Sequence, residues 1–192
     1  MDLSTHLFWI TSRAAGTGAL VLSSASVTMG LAIGARWRPR GRGRGTDLLA
    51  LHEWLSLATL VAIAVHGLVL LGDGYLHPSL ADVAVPFQFS YRSFWVALGI
   101  LGGYGLAALG LSYYARARIG QTRWRLLHRF TALFWILGVV HTLGAGTDAG
   151  QGWYLALLAT ITVPPLLLLA GRYVGRSADR DRGASLGWQT PG

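Results

Sequence analysis

Four of the six histidines sit on two apolar stretches of the sequence, His52 and His66 on one and His128 and His141 on the other. Ionisable side chains are scarce in segments apolar enough to lie in a bilayer, and where they occur they bind, relay or switch something. Fourteen residues separate the first pair and thirteen the second; on α-helices these steps rise about 21 and about 20 Å. Side by side, the two helices hold their imidazoles at two matching depths. Imidazole is a standard axial ligand of haem iron, so one ring from each helix at each depth gives two six-coordinate b-type haems stacked through the membrane. A proton relay and plain hydrogen-bonded packing are the competing roles, and neither needs paired rings at equal depth. One mismatch stands against the simplest geometry. A fourteen-residue step returns to within about 40° of the starting face, whereas a thirteen-residue step misses by about 140°. The helix carrying His128 and His141 must therefore be tightened locally, with Gly138 the candidate position, or its rings must approach from different flanks. His6 and His77 fall outside the apolar stretches and read as surface residues.

The elements that must position these rings are long apolar helices. Of 192 residues 53% are apolar and 12% charged, and mean hydropathy is +0.46, a composition of membrane proteins rather than soluble domains. Spanning helices of about 20 residues are predicted near 14–34, 48–71, 93–114, 126–146 and 153–171, an all-α bundle of about five spans. The net charge of +8 is carried without a single lysine, and the arginines cluster. Arg36, Arg38, Arg40, Arg42 and Arg44 lie between the first two spans; Arg116, Arg118, Arg123 and Arg125 between the third and fourth; Arg172, Arg176, Arg180 and Arg182 after the fifth. Such clustering marks topology rather than nucleic-acid binding, and by the positive-inside rule the amino terminus is outside and the carboxyl terminus cytoplasmic. His52 and His128 then lie near the cytoplasmic face, His66 and His141 near the outer one.

The absence of cysteine excludes iron–sulfur clusters, thiolate chemistry and covalent haem attachment, so any haem must be non-covalent. The first apolar run is too long, and lacks the preceding basic residues, for a cleaved signal peptide. The third span is rich in glycine, which lets helices approach closely in lipid. Pro164 and Pro165 are expected to kink the fifth span. The long aromatic loop 72–92 is expected to contain a short interfacial helix beginning at Pro78. Residues 1–175 read as one membrane domain, and 176–192, polar and glycine-rich, as a disordered cytoplasmic tail.

On "WITSRAAGTGAL", "LALHEWLSLATLVAIAVHGLVLLGD", "VPFQFSYRSFWVALGI" and "TRWRLLHRF" followed by His141, the chain resembles the ferric reductase-like transmembrane family, which includes the membrane portions of ferric reductases and NADPH oxidases and the haem subunit of the methionine sulfoxide reductase system. The likeness extends from about residue 9 to 171. It implies that His52 and His128 ligate an inner haem, and His66 and His141 an outer haem, and the thirteen-residue spacing is familiar there. Anionic propionates need neutralising in a low-dielectric site; Arg125 and Arg129 are candidates at the inner haem, Arg13 and Arg92 at the outer. Arginine at the cytoplasmic interface also has an anchoring role, and Arg13 stands on the side where arginine is unexpected. The resemblance places the Phe134 ring between the haems, against a simpler role for Phe134 and Trp135 in filling the core. Glu53 is a candidate to orient His52 or meet a partner.

The larger members carry a flavin and nicotinamide module after the last span; here about 20 polar residues follow, without a dinucleotide-binding glycine motif. The expected function is an electron-transfer component of an oxidoreductase, embedded in the plasma membrane. It would take electrons from a flavoprotein bearing FAD or FMN, or from membrane quinol, and pass them to an extracytoplasmic acceptor. A single-haem, quinone-linked subunit using His66 and His141, and a non-redox proton-conducting or scaffold protein, are the alternatives.

Overall fold

The computed structural model describes residues 3–35 and 44–187, and among them there are helices and no strands. The arginines at 36, 38, 40 and 42 lie outside the described residues. Eight helices follow in order: α1 (Leu3–Gly34), α2 (Arg44–Leu70), α3 (Leu80–Ala84), α4 (Ser93–Leu111), α5 (Arg116–Ile119), α6 (Gln121–His128), α7 (Thr131–Ala145) and α8 (Gly152–Gly187). Five stretches are long and apolar enough to cross a membrane: Leu7–Gly34, Asp47–Leu70, Ser93–Leu111, Gln121–Ala145 and Gly152–Arg172. The protein is thus a multi-pass membrane protein with the five spans predicted. Its outer surface is apolar, with Trp54, Val61, Leu68 and Leu167 all at least 62% exposed, while small hydroxyls (Ser12, Ser23, Ser24, Ser26 and Thr59) are buried. Water would invert that arrangement; lipid favours it.

Neighbouring helices close a ring. α1 packs along α2, α2 touches α4, α4 packs along α7, and α7 returns to α1, with α8 outside the ring against α1. The two histidine-bearing elements, α2 and α6–α7, therefore stand diagonally across a four-helix core, the place where bundles build cofactor sites. Trp135, 1% exposed, ties α7 to α1 by donating its indole N–H to Ser24 Oγ at 3.0 Å.

Three elements differ from expectation. The loop helix starts at Leu80, not Pro78: Ser79 is its N-cap, its hydroxyl accepting from Asp82 N and its own N–H donating to Asp82 Oδ2, a capping box that fixes the first turn two residues later. The irregularity in the fourth span lies at Arg129–Phe130, between α6 and α7, and Gly138 sits inside regular helix. There the amides of Arg129, Phe130 and Leu133 donate three residues back, to Leu126, Leu127 and Phe130, a 3₁₀-like turn. The last helix runs through Pro164 and Pro165 and on to Gly187, over part of the stretch whose composition reads as disordered.

Candidate functional site

The ring brings the four histidines together in the two expected pairs. His52 and His128 have ring centroids 6.2 Å apart with planes at 88°; His66 and His141 are 6.3 Å apart with planes at 73°. No cluster of three or more metal-ligating side chains exists among the described residues; these groups come in twos.

Each ring is held through Nδ1 by the helix next to it. Ser12 O accepts from His66 Nδ1 at 2.8 Å, and Trp95 O from His141 Nδ1 at 2.8 Å. At the other end Leu109 O lies 3.4 Å from His128 Nδ1, and Ser26 Oγ 3.2 Å from His52 Nδ1. A carbonyl can only accept, so it fixes the proton on Nδ1 and leaves the Nε2 lone pair uncommitted. The hydroxyl partner of His52 reaches the same result by a relay. Ser56 gives its one proton to His52 O, so Ser26 gives its own to Ser56, and Ser26 Oγ is left to accept from Nδ1. No hydrogen bond among the described residues uses any of the four Nε2 atoms. That is the tautomer a metal-binding imidazole needs, with an outer partner orienting the ring.

The acceptors carry a register of their own, one that inspection of the histidines alone overlooks. Ser12 and Ser26 on α1, and Trp95 and Leu109 on α4, are each fourteen residues apart, the same step as His52 to His66. Four residues after both serines comes a glycine, Gly16 or Gly30, and four after Trp95 comes Gly99. A methyl group on Gly16 would stand 2.9 Å from His66 Nδ1, and one on Gly99 2.6 Å from His141 Nδ1; the rings lie where side chains would otherwise be. The repeated Ser-x-x-x-Gly on α1 is a signal in the sequence, whereas the α4 acceptors are main-chain carbonyls and leave none.

The same ladder resolves the thirteen-residue step. A 3₁₀ turn advances about 120° and 2.0 Å per residue against about 100° and 1.5 Å in an α-helix. Three or four such residues at Arg129–Phe130 lengthen the step to about 21 Å, level with fourteen α-helical residues, and recover about half of the angular mismatch. Side-chain reach from different flanks supplies the rest.

The remaining candidates divide. Arg125 and Arg129 are exposed beside His128. Arg13 forms an ion pair with Asp148 and stacks over Trp9, so its guanidinium already has an anionic partner in the α7–α8 loop. Arg92, left-handed at φ 44° before α4, donates to Gly144 O and pins the start of α4 to the end of α7. Phe134 is half-buried with its ring in the gap left by Gly105 of α4. Glu53 accepts from Tyr114 OH at 2.7 Å, and that carboxylate bond holds the Tyr114 phenol above its ordinary range. His77 is exposed in the α2–α3 loop. Of His6 only the helical backbone is described.

These features together describe a multi-pass helical membrane bundle with two histidine pairs, one above the other, in its core. The chain belongs to the family described as ferric reductase like transmembrane component, whose model matches residues 15–139. The match takes in His52, His66 and His128 and ends two residues before His141. Members of this family typically bind haem, and the family points to a transmembrane electron-transfer component. Neither a curated relative nor a solved structure matches the chain.

Proposed function

We propose that this protein is a di-haem b electron carrier of the plasma membrane, with His52 and His128 ligating an inner haem and His66 and His141 an outer one. The observation that carries the reading is the spacing of the rings. An imidazole centroid lies about 1.15 Å from each ring atom and a metal–imidazole bond is about 2.0 Å, so two imidazoles joined to one iron through Nε2 have centroids about 6.3 Å apart. The observed 6.2 and 6.3 Å fit at both levels, and every Nδ1 already has its outer partner. A proton relay has no need of either feature.

When bound, the haems would supply one-electron carriers at two depths. The chain's own residues do the rest. The Nδ1–H bonds to Ser12, Ser26, Trp95 and Leu109 keep the tautomeric proton on Nδ1 and orient each ring. Arg125 and Arg129 stand ready for propionate charge at the inner level, and Arg13, shared with Asp148, at the outer. Lipid-facing apolar side chains and tightly packed helices keep water from the core. We place the amino terminus outside and the arginine-rich connections inside, with a flavoprotein or membrane quinol as donor and an extracytoplasmic acceptor. In this scheme the four histidines would fill the iron sites, and the haems would supply electrons to the acceptor without its binding to iron.

The test is haem quantification with electron paramagnetic resonance on oxidised, purified protein. Two haems per chain are expected, both low-spin. Ligand planes at 88° and 73° are close to perpendicular, which in bis-histidine iron gives the strongly anisotropic type of low-spin signal rather than the ordinary rhombic one. Protein that takes up no haem when expressed with ample supply, or a high-spin signal from both sites, would refute the assignment.

A further inference from the structure

Trp124 lies one helical turn before His128 and its indole stacks on that imidazole, with centroids 5.0 Å apart and planes at 26°. Tyr113 packs against the indole at 5.9 Å, and the Arg116 guanidinium covers Tyr113 at 3.8 Å. The Trp124 Nε1 atom is buried and has no hydrogen-bond partner, one of two such side-chain atoms among the described residues. Buried donors are almost always satisfied, and this nitrogen has almost no exposed surface at which water could pair with it. An indole N–H left unpaired beside a proposed metal ligand therefore points to an acceptor that a bound group brings with it.

The chemistry of that group narrows the acceptor. The rim of a b haem carries methyl and vinyl groups, which accept nothing, and two propionates, which do. Resting on the di-haem reading above, we infer that Trp124 is a positioning residue whose indole N–H donates to a propionate carboxylate of the inner haem, while its ring braces His128 from the side. Exposed Arg125 is the next residue, so an uncharged buried donor and a charged exposed one would divide the carboxylate between them. A lipid phosphate offers the same anionic oxygen, although the buried position of Nε1 favours a group inside the bundle.

The test compares wild type, Trp124→Phe and, as a control, Trp54→Phe, whose indole faces outward at 70% exposure. Each is measured with both haems loaded, in detergent and in nanodiscs containing anionic lipid. Phe keeps the stack and removes the donor. Expected are unchanged haem content, an altered propionate-bending band in the resonance Raman spectrum, and a move of one of the two potentiometric steps to more negative potential, because a propionate with less of its charge neutralised favours ferric iron. The other step and the Trp54→Phe protein should not move. If Trp124→Phe loses the inner haem, Trp124→Gln, which restores an N–H donor, should recover it; failure to recover overturns the inference. Unchanged Raman bands and potentials in a Trp124→Phe protein holding two haems would overturn it while leaving the di-haem reading intact. A change seen in anionic nanodiscs but not in detergent would assign the acceptor to lipid and reject the propionate. Haem-free wild type would reject both.

Discussion

His66→Ala protein should purify with one haem where the wild type carries two, and His128→Ala should do the same with the opposite haem missing. The expectation follows from the separation of the pairs. His52 and His66 are about 21 Å apart along α2, and among the described residues none of the hydrogen bonds that hold one pair reaches the other, so removing a ring at one depth leaves the other pair with its Nδ1 partners in place. At the depleted level Ser12 O, inside α1, or Leu109 O, which also accepts from Ser112 Oγ, would lose only the imidazole N–H. Losing one such hydrogen bond costs about 0.5–1.5 kcal/mol, too little to unfold five packed spans. Dithionite-reduced minus oxidised spectra with haem quantification read the result directly. Redox titration separates the two variants, since each should retain a single step and the two steps should differ. Unchanged haem content in both variants would reject the ligand assignment, and loss of both haems from either would mean that the sites are not independent.

What the sequence reveals depends on whether the information sits in side chains close in sequence. Hydropathy reveals all five spans, because each must present about 20 apolar residues to lipid. It misses their ends: α1 begins at Leu3 and α8 continues to Gly187, since helical hydrogen bonding does not stop where the bilayer does. The histidine pairs are legible from spacing and depth. Their phase is not, because the correction comes from three-residue hydrogen bonds at Arg129–Phe130, where neither residue type marks a break, whereas Gly138 lies inside regular helix.

Arg13 shows the limit in another way. Its position at the start of an apolar span suggests an anionic partner, but Asp148, the one found, is 135 residues away and reached only through the packing of α1 against the end of α7. The α1 cradle lies between these cases. Ser12, Gly16, Ser26 and Gly30 repeat at the histidine step, and the repeat acquires meaning only once α1 is known to run antiparallel to α2. The cradle on α4 is made of carbonyls, so only its Gly99 could have hinted at it.

That cradle leads to the second large effect. Gly99→Ala should release the outer haem, or weaken it severely, while the inner haem stays. The new methyl would sit 2.6 Å from His141 Nδ1, with Cγ at 2.7 Å and Cε1 at 2.8 Å, closer than carbon and nitrogen atoms pack, so the ring must swing or α4 must move away from α7. A shift of α4 is resisted nearby: Trp95 fills the space beside Gly144, and Arg92 holds Gly144 O at 2.6 Å. The ring therefore gives way, breaking the 2.8 Å bond to Trp95 O and changing its placement against His66. Losing an outer partner alone typically costs 10–100-fold in metal affinity, and a displaced ligand adds to that. Gly110→Ala on the same helix is the control, since a methyl there meets only Leu60 Cδ1 at 3.9 Å, an ordinary contact; both haems should remain. Haem content of the two variants, measured alongside helicity by circular dichroism, separates a local ligand effect from general unfolding. A Gly99→Ala protein that keeps two haems with unaltered potentials would mean that His141 does not depend on the α4 contact, and the role given to that helix would fall with it.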